Sequence, residues 1–211
     1  EGATLVRKLI VKNQNDPAYR DALVDTLLTL HDTRAQYYPK YAVTALNNKG
    51  IDIANYVKND YQKQFDGFEG IIANNKENTK PNLLLFDLQA AINLYQQGSI
   101  DAETVIMAYQ RNNDLLESMP SENEAEKEQI ENIKTDMGSL FAGSKVASCD
   151  NLIELFTPRF EADPSNLELA TSIVSTMTLT EGCTDNDLYL NAVTTMNNLD
   201  PSANSAYSLF K

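Results

Sequence analysis

The sequence predicts an all-α chain built as a run of helical hairpins. Three observations carry that expectation. Apolar residues recur at three- and four-residue spacing almost throughout, which is the period of one helix face. No segment alternates apolar and polar residues over strand length, and the single Asp-Gly pair, Asp66-Gly67, lies between helical segments. Pro, Gly and capping residues interrupt the pattern at short intervals, so consecutive helices must fold back on one another.

Pro17 opens the first helix of the pattern, with Leu23, Val24, Leu27, Leu28 and Leu30 as its apolar positions. Proline at the first helical position sacrifices no hydrogen bond. A second helix spans residues 41–57 and carries Val43, Leu46, Ile53 and Val57, and a third covers residues 60–75. A fourth starts at Pro81, carries Leu84, Leu88, Ala91, Ile92 and Tyr95, and ends at Gly98, a natural C-terminal stop. A fifth begins near Asp101, sets Val105, Ile106, Tyr109 and Leu116 on one face, and stops before Pro120.

Ser121 and Glu124 have the spacing of a capping box, in which each side chain satisfies an orphan backbone N–H. The helix they head has Ile130, Ile133, Met137 and Leu140 as its apolar side. Leu152, Ile153 and Phe156 mark a further helix with a break at Pro158. Ser165 with Glu168 is a second box, ahead of Leu169, Ile173 and Val174. Thr184 with Asp187 is a third start signal, ahead of Leu188, Leu190, Val193 and Met196. Pro201 opens a last helix that the chain end truncates. The total is about ten helices.

The 211 residues make one domain or two small ones. Lys and Arg number 17 against 30 Asp and Glu, a net charge of −13, which excludes nucleic acid as a partner because phosphate neutralisation needs surplus basic groups. No apolar run approaches the roughly 18 residues of a membrane span. Glu1 is not an initiator Met and no signal pattern follows it, so the chain reads as a fragment of a longer protein.

Chemistry-bearing constellations are sparse. His31 is the only histidine; it lies beside the Leu23, Leu27 and Leu30 face, next to Asp32, and reads as a boundary residue bonding locally rather than a general base. One His and two Cys exclude His-rich zinc sites. Gly67 and Gly70 lack the third glycine and the preceding strand of a phosphate-binding loop. No catalytic residue, cofactor or metal ligand is assigned. The acidic run at residues 122–131 reads as a solvated helix face, with docking of a basic partner as the alternative. Tyr37, Tyr38, Tyr41, Tyr56 and Tyr61 crowd the first third and are the candidate partner-binding aromatics, because tyrosine supplies stiff amphipathic contact area. Their spacing also suits a helix-pair core, and core packing is the reading it favours.

An internal repeat organises the second half. Asp163-Pro164-Ser165-Asn166 recurs as Asp200-Pro201-Ser202-Ala203, an offset of 37 residues, and Leu152, Ile153 and Phe156 fall on Tyr189, Leu190 and Val193. A helix pair with a proline-marked turn is the natural unit, because one pair cannot bury its own apolar face and stacking both buries it and leaves a concave surface. Such a unit, of about 34 residues, resembles a tetratricopeptide repeat. Pro201 and Val193 fit that pattern, whereas Ala170, Ile173, Val174, Tyr189 and Met196 depart from it. An insertion at residues 180–182 accounts for the longer period.

The segments Ala22-Leu23-Val24-Asp25, His31-Asp32-Thr33-Arg34, Tyr37-Tyr38-Pro39, Cys149-Asp150-Asn151-Leu152 and Cys183-Thr184-Asp185-Asn186 together resemble exported tetratricopeptide-repeat proteins of Bacteroidetes-type bacteria. The resemblance implies a right-handed solenoid, with residues 1–120 as its hairpin N-terminal part and residues 121–211 as degenerate repeat pairs. It implies a periplasmic or cell-envelope location, with the signal peptide lost ahead of residue 1. It also implies a disulfide between Cys149 and Cys183. Geometry alone leaves that pairing open: equivalent turns of stacked pairs lie about 10 Å apart, beyond the roughly 7 Å a disulfide spans, unless the insertion before Cys183 closes the gap.

The function expected is a non-enzymatic scaffold that binds a peptide or protein segment on its concave face. The net charge points to a basic partner and salt-sensitive binding. A structural spacer with no ligand is the alternative, and a hydrolase built on two carboxylates is a remote third.

Overall fold

The computed structural model describes residues 2–201 as ten α-helices: α1 (Gly2–Lys12), α2 (Pro17–Tyr37), α3 (Ala42–Tyr56), α4 (Tyr61–Asn75), α5 (Pro81–Gln96), α6 (Ala102–Ser118), α7 (Glu124–Gly143), α8 (Cys149–Ala162), α9 (Leu167–Thr178) and α10 (Asp187–Leu199). Two 3-10 turns, Pro39–Tyr41 and Lys76–Asn78, lead into α3 and α5. Among the described residues there is no strand, so the all-α expectation is met.

Neighbours in sequence are neighbours in space. From α1 to α7 each helix packs on the next, as α8 does on α9 and α9 on α10; α3 also meets α5, α5 meets α7, α6 meets α8 and α8 meets α10. The buried apolar side chains form one cluster from Val6 to Val193. Two glycines set how closely the helices approach. A Cβ at Gly50 would lie 2.5 Å from Cδ1 of Leu83, across the α3–α5 contact, and one at Gly67 would lie 2.5 Å from Cδ1 of Ile53, across α4–α3.

Several local readings are corrected. The helix α1 precedes Pro17, where the sequence reading placed none; it buries Val6 and Ile10 and packs on α2. The pair Asp66-Gly67 lies inside α4 rather than between helices. The caps of α7, α9 and α10 are asparagines, not Ser121, Ser165 and Thr184. Asn123 accepts from the Glu126 N–H at 3.0 Å, Asn166 from Leu169 at 2.9 Å and Asn186 from Tyr189 at 3.0 Å. Asparagine ranks with serine and above threonine as a cap, and each lies nearer the first buried turn than the residue it displaces.

Pro158 does not break α8. It lies on the exposed side, as does Glu154, whose carbonyl loses its helical donor to the proline, while Phe156 and Phe160 are buried and hold the helix across it. The helix expected after Pro201 lies outside the described residues.

Cys149, at the start of α8, is disulfide-bonded to Cys183, in the turn before α10, with Cα atoms 5.1 Å apart. The turn ahead of Cys183 is tight: Gly182 takes φ +74°, which glycine adopts without strain, and the Cys183 N–H donates to the Thr180 carbonyl at 3.1 Å.

Candidate functional site

A groove of 780 Å³ is walled by α3, α4, α5 and α7. Helix α5 contributes its longest side. Asn82, Phe86, Gln89 and Asn93 recur at spacings of four, three and four residues, so they form one stripe along that helix. Ile51, Ala54 and Asn55 of α3, Tyr61, Gln64 and Phe68 of α4 and Gln129 of α7 line the groove with them. Phe68 and Leu83 are buried beneath, and Phe86 is 38% exposed, so the floor is apolar and accessible.

Polar groups on this lining are almost all carboxamides. Gln64 is committed within the protein, its Nε2 donating to the Val57 carbonyl at 2.6 Å. Among the described residues, the side chains of Asn55, Asn82, Gln89, Asn93 and Gln129 hydrogen-bond to no other protein group. Each offers two donors and an acceptor to whatever occupies the groove. Among the described residues, Lys80 is the only charged one on the lining and none is a carboxylate.

The turn that delivers Lys80 is fixed by buried amides. Asn47 of α3 accepts the Lys80 backbone N–H at 3.0 Å and donates to the Asn78 carbonyl at 2.9 Å, and Asn75 donates to the Val43 carbonyl at 3.2 Å. Asn47, Asn75 and Thr79 are all buried. These residues seat the α5 N-terminus against α3, and no spacing rule singles them out.

Two buried ionic networks lie behind the groove walls. On α5, Asp87 follows Phe86 by one residue and therefore points about 100° away, toward side chains from α4 and α6. Arg111 of α6 donates to Asp87 Oδ2 at 2.7 Å and to both Glu69 oxygens at 2.6 Å, and Asn112 donates to the same Asp87 oxygen at 2.8 Å. Oδ1 of Asp87 is buried without a partner. Burial pushes the Asp87 carboxyl up to about 7, and the Glu69 charge adds to it, against the opposing pull of Arg111 and Asn112.

On α3, Asp52 follows Ile51 and faces the other way, toward α1 and α2. Arg7 binds it through two nitrogens at 2.8 and 2.7 Å, and His31 Nε2 lies 2.7 Å from Oδ2. Burial raises the Asp52 carboxyl, but the bonds from His31 and Arg7 together outweigh it and hold the group below the usual aspartate range. Asp52→Ala is expected to cost about 3 kcal/mol in urea unfolding, because it leaves the buried His31 ring unpaired. Asp32→Ala breaks only the exposed pair with Lys49 and is expected to cost less than about 0.5 kcal/mol.

The residues singled out from sequence fall as follows. His31 is buried and bonds 21 positions away rather than locally, a correction that follows from its place on the face of α2 that meets α3. Tyr37 and Tyr38 are 69% and 61% exposed and Tyr41 is 40% exposed, so core packing is wrong for these three. They sit where α2 ends and the chain turns into α3, outside the apolar faces of both helices. The Tyr41 ring lies 5.2 Å from the Arg34 guanidinium and 4.8 Å from the Lys40 ammonium. Tyr56 is half-buried against the core. Of the five tyrosines, Tyr61 lines the groove.

Residues 122–129 of the acidic run are solvent-exposed. Among the described residues no cluster of His, Cys, Asp and Glu is arranged to hold a metal ion, and no helix is long and apolar enough to cross a membrane. The chain matches no family model, no curated protein and no solved structure.

Proposed function

We propose that this chain is a non-enzymatic docking scaffold of the tetratricopeptide-like class, which holds a peptide or protein segment in the groove between α3, α4, α5 and α7. The observation that carries this reading is the stripe of carboxamides without protein partners along α5, set beside an accessible apolar floor. Polar groups arranged in a concavity over apolar surface are the ordinary make-up of a binding site.

The packing supports a helical-hairpin solenoid. The α3–α5, α5–α7, α6–α8 and α8–α10 contacts are of the next-but-one kind that stacked helix pairs make. The disulfide supports an oxidising compartment, the periplasm or cell envelope, because such bonds persist there and are rare in the cytosol.

The test is site-specific photocrosslinking in a native envelope extract, with a photoreactive residue at Gln89 in the groove or at Thr171 on the exposed side of α9. A product from Gln89 that is absent from Thr171, and that Asn93→Arg removes, is the expected result. Identical products from both positions would replace the docking reading by that of a structural spacer.

A further inference from the structure

We propose that the groove takes an extended peptide segment of about five residues, uncharged along α5 and carrying an acidic side chain where it meets Lys80. The proposal rests on the docking reading above and names the ligand of the same site.

Length comes first. Asn82 to Asn93 covers about 16 Å of helix at 1.5 Å per residue, which an extended chain spans in about five residues. Hydrogen-bonding capacity comes second. An extended segment has main-chain N–H and C=O groups with no partners of their own, and a carboxamide supplies both a donor and an acceptor to them. A helical segment has already paired its main chain and could meet the row of Asn82, Gln89 and Asn93 only through well-placed polar side chains; any amide it covers without one is left desolvated and unsatisfied, which opposes binding. Between these amides, Phe86 over Leu83 and Phe68 offers apolar contact to one or two side chains of the occupant.

Charge decides the end near Lys80. The protein carries −13, yet among the described residues the groove lining contains no Asp or Glu and a single Lys. Among the described residues, Lys80 forms no ion pair. It stands at the N-terminus of α5, whose backbone dipole adds positive potential at the same place. A carboxylate is therefore favoured there, and a basic side chain is repelled. Net charge governs the approach of a partner; the local lining governs which segment is retained. The bound segment thus has the opposite sign from the one that the net charge of the whole chain would select.

The experiment selects displayed random dodecamers, embedded in a fusion so that neither peptide end is free, on the whole chain and on its Lys80→Glu and Asn93→Arg variants. The Lys80 side chain is exposed and only its backbone N–H is used by Asn47, so Lys80→Glu keeps the fold. Unchanged melting and far-ultraviolet dichroism check this. Wild type is expected to enrich Asp or Glu at one register beside apolar residues. Lys80→Glu is expected to bind those sequences at least about tenfold more weakly and to enrich Lys or Arg at that register.

Basic residues at that register on wild type, or the same sequences on wild type and Lys80→Glu, would overturn the acidic assignment. Enrichment of amphipathic helical sequences with anchors three and four residues apart would overturn the extended one. Sequences indifferent to Asn93→Arg would sink the docking reading and this proposal with it.

Discussion

Replacing Cys149 and Cys183 together by alanine is expected to lower the free energy of unfolding by about 4 kcal/mol. The bond closes a loop with a sequence separation of 34. Chain entropy released to the unfolded state by opening a loop of that size accounts for most of the loss. The remainder comes from Cys183, which is fully buried and leaves a small void when it is shortened.

The loss is expected to be local. Helices α8, α9 and α10 pack on one another, and among the described residues their links to the rest of the molecule, fewer than those among the three, include the α6–α8 contact, the Arg159–Glu103 ion pair and the buried Val146 and Ala147. An element held by so narrow a joint opens as a unit once its staple is removed. Amide exchange should therefore accelerate across residues 149–199 in the double variant and stay unchanged in α2 to α5. Uniform acceleration along the whole chain, or a loss below about 1 kcal/mol, would show that the bond is incidental to the stability of this end.

What could be read from sequence and what could not divides along one physical line. Helices α3, α4, α5 and α6 start and end within a residue or two of the expected positions, and α2 starts at the expected Pro17, because a repeating apolar face and a local start or stop signal report on the helix itself. Helix α1 was missed because two buried residues, Val6 and Ile10, are too few to display a period. The three misplaced caps fail for a related reason. A Ser or Thr three residues before an acid and an Asn one or two residues later can satisfy the same backbone amides, and local pattern does not say which start puts Ile133 or Ile173 in the core.

The groove was illegible for a different reason. Asn82, Gln89 and Asn93 look like the solvated side of an amphipathic helix, and only α3, α4 and α7, brought in by the fold, turn that side into a wall. The ionic networks join residues 45 and 42 positions apart, Arg7 to Asp52 and Arg111 to Glu69, where no helical period reaches. Spacing misplaces the exposed tyrosines because it presumes one continuous helix face. Tyr37, Tyr38 and Tyr41 straddle the end of α2 and a 3-10 turn, so no single helix phase governs them.

Asp87→Asn is expected to stabilise the protein above neutral pH by about 3 kcal/mol while leaving it nearly unchanged at pH 4. The sign follows from the direction of the shift. Burial holds the folded-state carboxyl near 7, well above its unfolded value. Below about pH 4 the group is protonated in both states and contributes no difference. Between about pH 4 and 7 the unfolded chain loses the proton while the folded one keeps it, so stability falls as pH rises; above 7 the full penalty remains. Asparagine is nearly isosteric and never ionises, so the penalty disappears. Arg111 is not orphaned by the change, because Glu69 still binds it through both oxygens.

The comparison must be between variant and wild type at each pH. Asp52 acts in the opposite direction, since its lowered carboxyl contributes stability that is lost as pH falls through the acid range, and this background is common to both proteins. Thermal unfolding at pH 4, 6 and 8 should show curves that coincide at the lowest pH and separate to about 6–12 °C at the highest. If the variant is less stable at pH 8, Asp87 is held ionised by Arg111 and Asn112, and their attraction exceeds the cost of burying the charge. The joint of α4, α5 and α6 would then be an ion pair that strengthens the groove wall, rather than a neutral contact that proton loss weakens.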